Sequence, residues 1–365
     1  MAKPTSQNQP MTKNLERILV IQTAFLGDIV LTTSFLQALR KMAPQAKIYF
    51  LTTKIGAEAL TPNSWNIEIL PYDKRGQEKG LHGFQRKVRE IRRLKPQMVF
   101  CLHRSFRSAL LAKLSGASIL VGFKEAAGQF FFQHVVSRKG HVFEAEKNRA
   151  LLAKIFPEAA KEKIFPHLEQ SAEDLREAEI LLSPLRGKKF AVYSPSSVWA
   201  TKRWPAERFG EVAAKIEEEF GLAPLFVGGT TEEDLALAAR AEKTWGALSK
   251  NKIGLNLTGK TRLGVLKTVL QKAEIALSND SAPLHIAIAM GTKVVAVFGP
   301  TTKELGFFPL APEGASAVAE IENLSCRPCG LHGHNNCPLK HFRCMLDLSP
   351  QQVLEKMRTL LRSNA

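Results

Sequence analysis

The chain has 365 residues, too many for one comfortable hydrophobic core and suited to two domains of ordinary size. Its 51 Lys and Arg outnumber 34 Asp and Glu, and the formal charge of +17 calls for an acidic partner: nucleic acid, an anionic membrane surface or a phosphorylated substrate. No apolar run is long enough to cross a bilayer, and the polar start MAKPTSQNQPMTKN lacks the apolar core of a signal peptide, so a cytoplasmic protein with a disordered extension over residues 1–14 is expected.

From Arg17 onward, short apolar runs alternate with amphipathic stretches. RILVIQ, KIYFLTT, NIEILPY, QMVFCLH and SILVGF read as buried strands, and DIVLTTSFLQALRKM and FRSALLAKLSG between them as helices. The basic run over residues 73–95 reads first as a solvated helix face. Pro, Gly and basic residues over 181–189 mark a domain edge. The alternation then restarts with KFAVYSP, a helix from about Pro205, APLFVGG, a helix from about Glu232, IGLNLTG, a helix from about Arg262, AEIALSND, a short helix and KVVAVFGP. Ser349 followed by Pro350 and an apolar stripe starts a last helix. The expectation is an α/β protein of two doubly wound domains, 15–182 and 183–348, with a helix over 349–365 packing back on the body.

Ligands of open parallel sheets bind where strands end and helices begin, and three motifs fall at such ends. In IQTAFLGDIVLTT, one glycine, Gly27, replaces the three of a dinucleotide fingerprint, which disfavours a dehydrogenase. Asp28 follows it at a helix start. There it serves either as a first-turn acid that favours the helix dipole or as a base for an incoming hydroxyl, and the helix terminus should lower its pKa. In SPSSVWATKRWP, Ser196 and Ser197 supply a loop whose amides can approach a phosphate, and Lys202 can neutralise it, although a basic pair before a helix is more often surface. In LSNDSAPLHIAIAMGTKVVAVFGPT, Asp280 and Ser281 open a short helix, Ala282 follows, and His285 lies one turn on, on the face of Ser281.

These blocks, NDSAPLHIAIAMGTKVVAVFGPT with GDIVLTTSFLQALRK before it and KRWP between, resemble the ADP-heptose lipopolysaccharide heptosyltransferases, inverting glycosyltransferases, from about Arg17 to the C-terminal helix. The forms KRWP and NDS lean toward the members that add the second heptose. The resemblance implies a GT-B fold, two Rossmann-like domains facing across a cleft, with acceptor on the N-terminal side and donor on the C-terminal side. It implies Asp28 as catalytic base, Lys202 as donor phosphate ligand, and Asp280, Ser281 and His285 as heptose and diphosphate ligands. Many members carry glycine where this chain has Ala282, which would be strained if the site needs a positive φ.

The partners so implied are an ADP-heptose donor, a phosphorylated lipopolysaccharide core acceptor and peripheral contact with the inner face of the membrane. Arg104, Arg107 and Lys124 are candidate acceptor contacts, each set against plain surface solvation. Asp-x-Asp occurs nowhere in the chain, so no catalytic cofactor is expected. The cluster Cys326, Cys329, Cys337 and Cys344, interleaved with histidines, admits a structural zinc, reduced thiols packed beneath a loop, or a redox-labile pair. Rival readings are a GT-B enzyme with another nucleotide-sugar donor, a non-catalytic relative, and a nucleic-acid binder. The last calls for aromatic stacking platforms among its basic residues, and none of the chain's three Tyr and four Trp lies in the basic helix.

Overall fold

The computed structural model describes residues 15–363, so the expected extension over 1–14 lies outside the described residues. The chain divides into two compact units between Ile164 and Phe165. The first contains β1 (Arg17–Ile21), α1 (Leu26–Met42), β2 (Lys47–Thr52), α2 (Lys54–Ala59), β3 (Ile67–Pro71), α3 (Gly80–Arg93), β4 (Met98–Cys101), α4 (Phe106–Leu114), β5 (Ile119–Phe123), β6 (His134–Val136) and α5 (Glu144–Ala153). Its sheet is parallel in the order β3-β2-β1-β4-β5-β6. Ile18 to Ile21 are fully buried, as a parallel strand covered on both faces should be.

The second unit contains α6 (Ala172–Leu182), β7 (Phe190–Ser194), α7 (Ala206–Phe220), β8 (Ala223–Phe226), α8 (Glu232–Leu248), β9 (Leu255–Asn256), α9 (Leu263–Lys272), β10 (Ile275–Asn279), α10 (Ala282–Ala289), β11 (Val294–Phe298), β12 (Ser316–Glu320), α11 (Arg343–Leu346) and α12 (Pro350–Arg362). Its parallel sheet runs β12-β11-β10-β7-β8-β9. Each unit is a Rossmann-like doubly wound fold, the two halves that a GT-B protein requires. Ser349 caps α12 by accepting from Gln352 N, and Val353, Leu354, Met357 and Leu360 bury the helix's apolar stripe in this unit's core.

The division corrects the expected boundary at 182/183. The turn signals there mark only the short link from α6 to β7, with Arg186 and Gly187 both at positive φ. Helix α6 belongs with the second unit because it packs on α9: Arg262 binds Asp174 at 2.5 Å and Glu177 at 2.7 Å. Asp174 is fixed in turn by the amide and hydroxyl of Ser171, both at 2.8 Å. A Cβ on Gly264 would stand 2.0 Å from Asp174 Oδ1. We therefore expect Gly264→Ala to lower stability by about 1–3 kcal/mol, against the ~1 kcal/mol that alanine gains in an unconstrained helix. Thermal denaturation checks this, and an unchanged or higher Tm would show that the α6–α9 contact is not tight.

Candidate active site

In the second unit the strand order reverses between β7 and β10, so the loops leaving these neighbours diverge and open a crevice at their carboxyl ends. Asn279, the last residue of β10, stitches the two loops together. Its Oδ1 accepts from Trp204 N at 3.1 Å, and its Nδ2 donates to Pro195 O at 2.8 Å. Ser196, Ser197 and Lys202 come from the β7 loop, and all three are buried.

Asp280 is the hub of the crevice. Its Oδ2 lies 2.5 Å from Lys202 Nζ and accepts from Thr301 Oγ1, beyond β11, at 2.7 Å. Lys202 and Asp280, expected to hold separate parts of a ligand, are thus paired with each other. Ser281 is the N-cap residue of α10 in an extended conformation, and its side chain does not cap the helix, so first-turn N–H groups are left without a side-chain acceptor. Ala282 is the first helical residue and is not among the residues at positive φ. The strain that alanine could have caused there does not arise.

His285 is buried on α10, and its Nδ1 has no hydrogen-bond partner. Burial holds its pKa down, to about 4, with Lys202 assisting and Asp280 opposing. The imidazole is therefore neutral near pH 7. It can give one N–H to an oxygen but adds no charge, so the cationic work in this crevice falls to Lys202.

The cysteine-rich segment straps these loops. His334 O accepts from Thr201 N at 3.0 Å and Thr201 Oγ1 at 2.9 Å, Cys329 N donates to Pro300 O at 2.9 Å, and Arg327 Nη2 donates to Thr301 O at 2.7 Å. Gly333, at φ +127°, lies so close that a Cβ would meet Thr201 Oγ1 at 3.2 Å and Lys202 Cγ at 3.3 Å. Among the described residues no three His, Cys, Asp or Glu side chains are grouped to hold a metal ion. Cys326, Cys329, Cys337 and Cys344 are free thiols. Cys344 is buried in the core, which pushes its pKa up to about 11, and Cys329 Sγ donates to Cys326 O at 3.1 Å.

In the first unit the reversal lies between β1 and β4. Asp28 stands in the first turn of α1, beyond β1. Its pKa is raised from 3.8 to about 7, first by burial and then by the charge of Glu144, against the lowering pull of the backbone N–H groups of Asp28 and Phe25 and of Arg138. The lowering expected from the helix terminus is present but outweighed. Glu144, buried at the start of α5, is held by Arg138 through bonds of 2.9 and 2.6 Å.

Beyond β4, His103 Nδ1 lies within 2.9–3.2 Å of the hydroxyls of Thr23, Ser105 and Ser108. Lys74 Nζ donates to Thr23 O at 2.6 Å. Burial, with Lys74 and Arg104 nearby, lowers the His103 pKa to about 4. Neither His103 nor Lys74 carries a sequence signal beyond lying in a basic stretch; three separated segments must meet before they form a group. Of the expected acceptor contacts, Arg104 and Lys124 are exposed. Arg107 is an internal brace instead: its Nε donates to Tyr72 Oη at 2.7 Å, and its guanidinium lies over the rings of Tyr72 and Phe84.

Comparison with known proteins agrees with this geometry. The model of glycosyltransferase family 9 (heptosyltransferase) matches residues 85–339. Lipooligosaccharide heptosyltransferase 2 of Campylobacter jejuni is 32% identical over 180 residues, which are 49% of this chain and 53% of that protein. The chain thus spans about half the length of that relative. Lipopolysaccharide heptosyltransferase 2 of Escherichia coli K12 is 23% identical over 94% of this chain and 98% of its own. The crystal structure of a family 9 glycosyl transferase from Veillonella parvula superposes with a TM-score of 0.80 at 26% identity, covering 95% of this chain and 98% of that one. With the family match running from α3 of the first unit through the crevice between β7 and β10 of the second, the chain belongs to glycosyltransferase family 9, the heptosyltransferases.

Proposed function

We propose that the protein is an inverting, metal-independent glycosyltransferase that moves a heptose from ADP-heptose to a phosphorylated lipopolysaccharide core, and that the acceptor already carries a first heptose, as the relatives named heptosyltransferase 2 favour. It works in the cytoplasm, at the inner face of the membrane. The observation that carries this reading is the buried Lys202–Asp280 pair beside the uncapped start of α10 and the unpartnered His285 Nδ1. A diphosphate meets one fixed cation, free amides and a neutral N–H donor, a set built for an anion.

The reaction is a single displacement. Asp28 takes the proton of the acceptor hydroxyl, and the oxygen attacks the anomeric carbon on the face opposite ADP. The bond from that carbon to the diphosphate oxygen breaks, and ADP leaves with the electron pair. Lys202, the first amides of α10 and the His285 N–H stabilise charge gathering on the leaving oxygens. Asp280 orients Lys202 and offers its other oxygen to a sugar hydroxyl. Asp28 and the donor crevice must serve one transfer.

The test pairs a thermal-shift series with ADP, UDP and GDP with a transfer assay using ADP-heptose. ADP at a hundredfold its Kd should stabilise the protein by about 2.7 kcal/mol, a Tm rise of a few degrees, with UDP and GDP well behind. Preferential stabilisation by UDP or GDP, with no turnover of ADP-heptose, would assign a different donor.

A further inference from the structure

Two loops at the carboxyl edge of the first sheet lock together. Arg104 O, beyond β4, accepts from Ala127 N, beyond β5, at 3.0 Å. Gly128 sits so close to α4 that a Cβ there would lie 2.4 Å from the Ala109 Cβ. The 3-10 turn Gln129–Phe131 is thereby docked against α4, and three rings form one cluster. Ring centroids are 6.4 Å apart for Phe106 and Phe130, 5.9 Å for Phe106 and Phe131, and 4.5 Å for Phe130 and Phe131. Despite this mutual packing, Phe106 stays 48% exposed and Phe130 70%. The exposed cations Arg104 and Lys124 belong to the same two loops. Asp28, in the first turn of α1, stands beyond β1 at this same edge, three residues after the exposed Phe25.

We propose that this ring cluster and its flanking cations are the surface by which the protein seats on an anionic lipid bilayer. The inference rests on the reading of the acceptor as a lipid-borne saccharide. A rigid aromatic cluster can enter the headgroup boundary without first losing side-chain freedom, and cations at its margin draw it to anionic lipid. Charge favours a bilayer over a second copy of the chain as the occupant: two molecules of formal charge +17 repel, whereas an anionic surface attracts. The placement also has a use, because the edge that touches lipid is the edge that presents the base, so a sugar projecting from the membrane is delivered to Asp28.

Flotation with phosphatidylglycerol/phosphatidylethanolamine vesicles, beside neutral phosphatidylcholine vesicles, tests the assignment on the full chain. Wild type should float with the anionic vesicles only and be released by salt. The double variant Phe106→Ser/Phe130→Ser should lose about tenfold in partitioning while keeping its Tm and its transfer rate to a deacylated, soluble acceptor. The assignment is overturned by variant partitioning equal to wild type, by wild type that does not float, by an equal loss of transfer to soluble acceptor, or by a concentration-dependent dimer that the variant dissolves. Failure of wild type to transfer heptose at all would count against the functional reading instead, and flotation would still decide the surface.

Discussion

Asp28→Asn is expected to lower kcat/KM by about 10²–10⁴-fold while leaving ADP binding unchanged, because a general base contributes a factor of that size and the residues proposed to bind the donor all lie in the other unit. The wild-type pH profile carries the sharper signature. With its pKa raised to about 7, Asp28 is about half ionised at neutral pH, so kcat/KM should climb through pH 7 toward a plateau above pH 8. An unperturbed carboxylate would place that limb near pH 4. Stability should show the same group with the opposite trend. The folded chain holds the proton more tightly than the unfolded chain, whose Asp titrates near 3.8, so the contribution of protonated Asp28 is complete below about pH 4 and is lost as pH rises through about 7. The Asp28→Asn variant lacks that slope and should be more stable than wild type at pH 8 by about 2–4 kcal/mol, since each pKa unit is worth about 1.4 kcal/mol. Glu144→Gln should move the activity limb to lower pH, because the Glu144 charge is the second cause of the raised pKa. An Asp28→Asn protein with more than a tenth of wild-type activity, or a wild-type acid limb near pH 4, would remove Asp28 from the mechanism.

How far the sequence foretold this arrangement depends on how local each determinant is. The strands β1 to β5, β7, β8, β10 and β11 are apolar runs and were readable, as was the start of α12 from Ser349 and Pro350. Two of the edge strands, β6 and β12, were not. β6 is three residues, and β12, Ser316–Glu320, has an apolar run of only three residues, Ala317 to Ala319, between a serine and a glutamate. The placement of α6 depended on Asp174 meeting Arg262, a contact the sequence cannot announce, while the Pro-Gly signal beside it marked an ordinary turn. Ser196, Ser197 and Lys202 follow β7, and Asp280, Ser281 and His285 follow β10, its neighbour in the sheet. Their mutual chemistry was hidden: the ion pair of Lys202 with Asp280, the neutral state of His285 and the high pKa of Asp28 all depend on burial and on groups brought in from elsewhere in the fold. The cysteines carry plain ligand-like spacing, whereas the backbone bonds by which their segment straps the loops beyond β7 and β11 are not encoded in spacing.

Asp280→Asn should cost about 3–5 kcal/mol of stability, since it leaves the Lys202 ammonium buried beside an amide in place of its counter-ion at 2.5 Å. Thr301 Oγ1 and the backbone N–H of residue 280 keep their acceptors, so the loss falls on the ion pair itself. ADP then becomes a diagnostic of what the lysine is for. If a diphosphate is the second partner of Lys202, ADP supplies the missing negative charge, and the Tm rise on adding it should be larger in the Asp280→Asn protein than in wild type. Lys202→Met should behave in the reverse way. It removes the cation, leaves Asp280 bonded to Thr301, and should abolish most of the ADP-induced rise. Transfer should fall in both variants, through weaker donor binding for Lys202→Met and mainly through kcat for Asp280→Asn, whose sugar-orienting oxygen is altered. Equal ADP shifts in wild type and in both variants would mean that the pair only braces the loops beyond β7 and β10, and that the donor phosphates lie elsewhere.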